Sequence, residues 1–196
     1  MCIRDRYRNL GRGRFEDVTA KAGLAVGRDR WGSGCSLLDI DRDGDLDLFV
    51  ANYLSLDLAR AAEPGQGANC TWKGLPVNCG PKGLATDTNL LYRNNGDGTF
   101  TDVALPSGAA YNELGAPQAG MGVALGDIDA DGALDILKTH FAGDIPALYR
   151  NRGRGLFEDV AVQAGLGAQN RFVQWGAGLP DLDLSLIHIS EPTRPY

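Results

Sequence analysis

The chain has 196 residues, 43% of them hydrophobic, and a formal net charge of −6 at pH 7. This acidic balance argues against a nucleic-acid-binding protein, in which a basic patch would be expected. No apolar run reaches the length of about 20 residues that a membrane-spanning helix needs.

The two ends of the chain do not share the pattern of the region between them. Residues 1–6 read MCIRDR, and residues 184–194 read LSLIHISEPTR. DNA strings that encode these segments are partly reverse complements of each other, and both resemble a transposase adaptor used to prepare sequencing libraries. We therefore expect residues 1–6 and 184–196 to be translated adaptor, and residues 7–183 to be the repeat region.

A twelve-residue motif occurs three times, at Tyr7–Val18, Tyr92–Val103 and Tyr149–Val160. Each copy starts with Y-R-N, passes through a G-x-G turn and leaves through F-x-D-V. Glycines at the turn supply the freedom for positive φ angles that tight turns require. The motif therefore predicts a β-hairpin in each copy.

A nine-residue acidic motif occurs twice, as DIDRDGDLD at Asp39–Asp47 and DIDADGALD at Asp127–Asp135. Aspartates occupy positions 1, 3, 5 and 9, and Gly44 or Gly132 occupies position 6, where the chain has to bend. Four carboxylates on so short a loop repel each other unless a cation lies between them. A third copy opens at Asp181–Asp183 but lacks the glycine and the later ligands, so we do not expect it to bind metal.

The ligand type favours Ca²⁺, which takes about six to eight oxygen ligands from carboxylates, backbone carbonyls and water. Mg²⁺ is less favoured because it retains its waters, whereas Mn²⁺ stays open on ligand type alone. The predicted ligands are the aspartate side chains and the position-7 backbone carbonyl, namely Asp39, Asp41, Asp43, Asp45 and Asp47 in the first loop and Asp127, Asp129, Asp131, Ala133 and Asp135 in the second.

These loops are not EF-hands, because position 12 is Val50 in one copy and Lys138 in the other, where an EF-hand has a bidentate glutamate. The flanking segments are short, apolar and partly β-branched, which predicts strands. One Asp-Gly pair could be an ordinary hairpin turn. Two matched nine-residue copies favour a calcium-bound connection between strands.

The order of the motifs predicts four short strands in each repeat, which is typical of a propeller blade. The expected fold is all-β: a partial β-propeller of about two full four-stranded blades and part of a third. The spacing of the repeats is interrupted by an insertion at 54–89, rich in Gly, Pro and Ala. Within this insertion, Cys70 and Cys79 either close a small disulfide loop, which we favour, or remain free thiols. Their spacing lacks the further ligands of a zinc site.

Other residues have simpler expected roles. Cys35 lies in a strand pattern and is expected to be a buried apolar residue. Six aromatic residues recur at matching repeat positions and are expected to form the blade core: Trp31, Tyr92, Phe100, Tyr149, Phe157 and Trp175. Trp72 lies in the insertion, off the repeat, and is the candidate for contact with a partner.

Together these motifs resemble the FG-GAP/VCBS repeats of integrin α-type propellers. The carriers are W-G-x-G, D-x-D-x-D-G-x-x-D-L, L-Y-R-N-x-G-x-G-x-F and D-V-x-x-x-A-G-L. The stretch Cys70–Leu84 further resembles the cartilage acidic protein family, whose members often carry an ASPIC/UnbV domain after the propeller. The resemblance implies a calcium-stabilised, seven-bladed propeller of secreted proteins, with calcium ligands at the aspartates of both loops.

Two functional hypotheses follow. The first is a non-enzymatic module for adhesion or for binding a protein or glycan ligand, placed outside the cell, in the periplasm or at the cell surface, where calcium is abundant and disulfides persist. The alternative is the repeat portion of a secreted enzyme that cleaves polysaccharides or phosphoesters. For that alternative, paired carboxylates or His140 would have to act as acid or base, and His140 has no nucleophile partner in the sequence. The motifs of serine hydrolases, P-loop enzymes and zinc proteases are absent from the sequence.

Overall fold

The computed structural model describes residues 5–25, 27, 30–57, 59, 61–67, 69–79, 84–168 and 170–180. The start of the third acidic motif, Asp181–Asp183, and the tail 184–196 lie outside the described residues, as do residues 1–4. In the described part the chain is nearly all β, as predicted, and none of its antiparallel sheets closes on itself. This architecture is that of a partial β-propeller. No helix among these residues is both long and apolar enough to cross a membrane.

The strands are short and follow the predicted order. They are β1 (Tyr7–Gly11), β2 (Arg14–Asp17), β3 (Arg30–Leu38), β4 (Asp47–Ser55), β5 (Thr71–Trp72), β6 (Leu75–Pro76), β7 (Leu90–Asn94), β8 (Phe100–Asp102), β9 (Gly120–Gly126), β10 (Asp135–His140), β11 (Ala147–Asn151) and β12 (Phe157–Asp159). A one-turn helix, α1 (Ala104–Ser107), follows β8, and a 3₁₀ turn spans Leu166–Ala168.

Two four-stranded antiparallel sheets form the body of the fold, with strand orders β3-β4-β7-β8 and β9-β10-β11-β12. Each sheet contains one acidic loop, which connects its first two strands: Leu38 pairs with Asp47 beside the first loop, and Gly126 pairs with Asp135 beside the second. The repeat is therefore one sheet, as the order of motifs predicted.

The second strand of the first sheet is buried on both faces because the chain covers it from two sides. Phe49 and Ala51 point into a core shared with the second sheet, where the rings of Phe49 and Tyr149 lie 6.2 Å apart. Val50 points the other way, into a second core with the A-G-L segment after β2, represented by Leu24. This two-sided burial explains the continuous apolar run in β4, since a strand with one wet face would alternate.

The hairpin β1–β2 is an outer pair of strands of the same kind as β7–β8 and β11–β12, but it pairs with no further strand among the described residues. Its Tyr7 and Phe15 are 55% and 61% exposed, whereas the matching Tyr149 and Phe157 are 0% and 7% exposed. An open apolar groove of about 460 Å³ lies between this hairpin and the first sheet.

Two core assignments from the sequence are wrong. Cys35 is exposed, because its side of β3 faces that open groove and not a packed sheet. Trp175 is 68% exposed, because the segment in which it lies, residues 173–180, forms no strand that would pack it into a sheet. The other aromatic assignments fit better: Tyr92, Phe100, Tyr149 and Phe157 are buried, and Trp31 is half-buried.

The insertion after β4 carries a small two-stranded hairpin, β5–β6. Cys70 and Cys79 form a disulfide across its base. Trp72 at its tip is 61% exposed, and the ammonium group of Lys73 lies 4.4 Å from the ring centroid. The insertion therefore presents an aromatic side chain to solvent on a cross-linked hairpin.

Candidate metal centres

The first carboxylate of each acidic loop shapes the loop by accepting bonds from backbone N–H groups. Asp39 accepts from Arg42 at 2.7 Å, from Asp43 at 3.2 Å and from Gly44 at 3.0 Å. Asp127 accepts the corresponding bonds from Asp131 at 3.1 Å and Gly132 at 2.8 Å. The chain thereby wraps around the position-1 side chain.

The residues at positions 4 and 6 adopt backbone angles that this wrapping requires. Gly44 and Gly132 have φ angles of 94° and 83°, in the region that favours glycine. At position 4, Arg42 and Ala130 are left-handed too, at 64° and 59°. Two such residues within three positions make the turn tight enough to bring alternate side chains to one side.

The position-9 aspartate anchors each loop to the sheet. Asp47 and Asp135 are fully buried, and each accepts two backbone N–H bonds. Asp47 accepts from Ile40 at 2.8 Å and from Asn94 at 2.7 Å. Asp135 accepts the same pair, from Ile128 at 2.8 Å and Asn151 at 2.7 Å. The two loops therefore share one scaffold, built from identical positions.

Carboxylate oxygens converge within each loop. In the first, one oxygen from each of Asp39, Asp41 and Asp43 lies within 4.8 Å of the others. In the second, the close group is formed by Asp127, Asp129 and Asp135. The remaining predicted ligands, which are Asp45, Asp47, Asp131 and Ala133, lie on the same two loops but are not part of these close groups.

One shielded carboxylate oxygen without a hydrogen-bond partner indicates whether a cation fits this arrangement. Asp41 Oδ1 is shielded from solvent and has no hydrogen-bond partner among the described residues. A shielded carboxylate oxygen without a donor is costly. A hard cation beside Asp39 and Asp43 would satisfy it, so the residues fit a metal of the calcium type.

The pKa shifts of the position-9 aspartates also favour a cation at the loops. Burial raises the pKa of Asp47, and the negative charges of Asp41 and Asp43 raise it further, against the lowering effect of its two backbone bonds. Burial likewise raises the pKa of Asp135, with Asp129 and Asp127 adding to it. Both loops concentrate negative charge that a bound cation would neutralise.

The asparagines of the second and third Y-R-N motifs, Asn94 and Asn151, contribute to the site, and the sequence did not indicate this. Besides its backbone bond to the position-9 aspartate, Asn94 donates from its side chain to the carbonyl of Leu46 at 3.2 Å. Asn151 donates to the carbonyl of Leu134 at 3.4 Å. The signal was present, because an asparagine follows Tyr-Arg in every copy of the motif.

The first loop is also joined to the second sheet. The Ile40 carbonyl accepts bonds from the Asn151 side chain and the Gly155 backbone, both at 3.0 Å. A Cβ at Gly155, whose φ is 70°, would lie 3.1 Å from the Ile40 side chain. The G-x-G turn of the second sheet therefore contacts the acidic loop of the first sheet and holds it in place.

His140, the candidate acid or base, lies at the end of β10, away from these loops. It is buried, with 1% of its surface exposed. Burial lowers its pKa to about 2, and the nearby Lys138 contributes to this shift. A neutral imidazole sealed from solvent cannot reach a substrate, so this position gives no support to a catalytic role.

Comparison with known proteins agrees with this geometry. The family model for the FG-GAP-like repeat matches residues 83–137, which include β7 to the start of β10 and the whole second acidic loop. The second acidic loop and the strands around it are thus similar to an FG-GAP-like repeat.

The chain is also similar in sequence to individual proteins. The chain is 29% identical over 197 residues to cartilage acidic protein 1 of Xenopus tropicalis, covering 81% of the chain and 30% of that protein. Identity to the human protein is 29% over 185 residues, covering 76% and 27%, and identity to the mouse protein is 28%, covering 76% and 28%. The chain is therefore similar to cartilage acidic protein 1 over most of its own length. The chain spans less than a third of the length of these relatives.

Proposed function

We propose that this chain is a calcium-stabilised, non-enzymatic module of an extracellular repeat protein that binds protein or glycan partners. One observation carries the calcium part: two loops with the same internal hydrogen bonds each gather three carboxylate oxygens within 4.8 Å. The unpartnered Asp41 Oδ1 supports this proposal, because it is a shielded oxygen whose missing partner a cation would supply. The ion would be held by the aspartates and the position-7 carbonyls, and it would offset repulsion within each loop.

The role of calcium in this proposal is structural. In each loop, the buried position-9 aspartate accepts a bond from the third strand of the sheet. The position-1 aspartate accepts bonds from the backbone of the loop itself. A cation at the loop would therefore stabilise the strand pairing on either side of it. Ions that bind only the folded state raise stability by mass action.

The extracellular, non-enzymatic part rests on three observations. The chain is similar to cartilage acidic protein 1, its insertion contains a disulfide, and His140 is sealed from solvent. Disulfides persist in oxidising compartments, where calcium is also abundant. The exposed Trp72 at the tip of the cross-linked hairpin is the surface proposed to contact the partner.

The calcium proposal is tested by thermal unfolding of the full chain in calcium and in EDTA. Asp41→Asn and Asp129→Asn are the variants of choice, because these position-3 side chains accept no backbone bond in the described structure. The wild-type melting temperature should rise in calcium, and the double variant should lose that response. Glu113→Gln, which removes an exposed carboxylate outside the loops, should retain it. An identical wild-type melt in calcium and EDTA would refute the proposal.

A further inference from the structure

We propose that the two acidic loops form metal sites of unequal affinity, and that Arg42 of the first loop is the residue that weakens the second. This inference rests on the proposed calcium function and goes beyond it, because it assigns a role to a cationic side chain outside the predicted ligand set. It also predicts an order of filling for the two sites.

Arg42 reaches from one repeat to the other. Its guanidinium Nη2 donates to the backbone carbonyl of Asp131 at 2.9 Å and lies 3.4 Å from Asp131 Oδ1. The same nitrogen lies close to where a side chain at Gly132 would begin. Its backbone N–H is held by Asp39 at 2.7 Å, so the first loop fixes the point from which the side chain extends.

The position-5 aspartates of the two loops, Asp43 and Asp131, therefore differ in their surroundings. Asp43 belongs to the close carboxylate group of the first loop, and its Oδ1 accepts only the local bond from Asp45 N–H at 2.8 Å. Asp131 accepts the matching local bond from Ala133 at 2.7 Å but also faces Arg42. In the second loop the close group is completed by Asp135 and not by Asp131. The guanidinium thus competes with an ion for the Asp131 carboxylate.

The number of aspartates and the position of the neighbouring arginines also differ between the loops. The first loop has five aspartates, because position 7 is Asp45, whereas the second has four, with Ala133 at that position. A second guanidinium, that of Arg150, lies 4.0 Å from Asp129 Oδ2. Beside the first loop, Arg93 lines the cleft, but no ion pair joins it to the loop aspartates in the described structure. The predicted ligands are the same in number and charge in both loops, so the difference comes from their surroundings. The extra negative charge of Asp45 beside the first site, and the guanidinium groups of Arg42 and Arg150 beside the second, should make the first site the tighter one.

The second loop has no arginine at position 4, so it makes no equivalent contact from that position with the first loop. Its position 4 is Ala130, with φ of 59°, close to the 64° of Arg42. Alanine is therefore accepted at this left-handed position, and Arg42→Ala removes the guanidinium without changing the backbone requirement. Because the Arg42 and Asp131 side chains are 55% and 45% exposed, solvent and salt reduce the effect. We expect a change in affinity of about three- to tenfold at low ionic strength.

The test is calcium titration by isothermal calorimetry on full-length variants with one intact loop. Asp41→Asn leaves the second loop intact, and Asp129→Asn leaves the first. The first site should bind more tightly than the second. Adding Arg42→Ala should tighten the second site about three- to tenfold, less so at high salt, and should change the first site less than about twofold. Arg12→Ala, an exposed arginine at another left-handed position (φ 53°), is the control and should change neither.

The outcomes separate the two proposals. If wild type binds calcium but Arg42→Ala leaves the second site unchanged or weakens it, the role of Arg42 is refuted while the calcium proposal stands. Equal affinities in the two single-loop variants would refute the order of filling. If wild type binds no calcium, both proposals fail. Arg42→Gln provides a second variant in case Arg42→Ala unfolds, which circular dichroism would reveal.

Discussion

Asp47 Oδ1 accepts a hydrogen bond from the backbone N–H of Asn94 at 2.7 Å, across 47 positions of sequence. The bond joins the last residue of an acidic loop to the end of the third strand of the same sheet. The same aspartate also accepts from Ile40 within its own loop. Its carboxylate therefore has a structural role that does not depend on a bound ion.

We predict that Asp47→Asn and Asp135→Asn destabilise the protein even in EDTA. The amide group would turn a donor toward a backbone N–H that needs an acceptor, and an unsatisfied buried group costs about 1–3 kcal/mol. Urea unfolding in EDTA measures the loss. Asp41→Asn is the matched comparison and should be close to neutral there, since Asp41 Oδ1 has no hydrogen-bond partner. Equal losses in all three variants would contradict the anchoring role.

We predict that Lys138 makes the free energy of unfolding depend on pH. It is fully buried, donates to Asn89 Oδ1 at 2.8 Å, and lies 5.6 Å from the ring centre of Tyr149. Burial lowers its pKa from 10.5 to about 7, against the opposing effects of Asp159 and Asp144. In the unfolded chain this lysine holds its proton up to its ordinary pKa. Between about pH 7 and pH 10.5 the unfolded state thus binds more protons, and the free energy of unfolding should rise with pH.

Denaturant unfolding from about pH 7 to pH 8.5 measures this slope, well below the ordinary tyrosine pKa of about 10. Lys138→Met, of similar length and uncharged, should abolish most of the rise. Lys21→Met, at an exposed lysine, should keep it. A slope that persists in Lys138→Met would show that other groups cause it.

Matching aromatic residues should differ in their contribution to stability. Phe157→Ala removes a ring that is 7% exposed and packs in the core between the sheets, so we expect a loss of about 3–5 kcal/mol. Phe15→Ala removes the corresponding ring of the first hairpin, which is 61% exposed, and should cost less than about 1 kcal/mol. Both are measured by urea unfolding. Similar losses would mean that the first hairpin is packed in solution.

The disulfide should stabilise the insertion locally. The paired Cys70→Ser and Cys79→Ser exchange should accelerate proteolysis within residues 61–79 by about tenfold. The main unfolding transition should move little, because the described sheets pair without β5–β6. Limited proteolysis with mass spectrometry, beside a thermal melt, checks both parts. A large fall in melting temperature would show that the insertion supports the sheets.

Much of this fold could be predicted because the sequence repeats. Two matched copies of an acidic motif between apolar segments indicated the strand–loop–strand unit, and the Y-R-N hairpin completed the four strands. Exposure could not be predicted in the same way. Cys35 and Trp175 lie in patterns typical of a core, but their surroundings are set by which neighbouring strands are present. Periodicity describes a strand and does not say what covers it.

Within the candidate site, the sequence indicated the carboxylates and their spacing, because ligand chemistry dictates both. It did not reveal that Asn94 and Asn151 anchor the loops, since an asparagine after Tyr-Arg fits an ordinary turn equally well. Nor could it place Arg42 against Asp131, 89 positions away. That contact depends on how one sheet packs against the next, which no local pattern encodes.

The bond network around the Ile40 carbonyl has a mechanical consequence. Because the side chain of Asn151 and the backbone of Gly155 both donate to this carbonyl, tension that separates the two sheets would also act on the acidic loop. An ion that stiffens the loop would then raise the force at which the sheets part. If the proposed calcium ions bind to these loops, the resistance of the sheets to separation would depend on the calcium concentration around them.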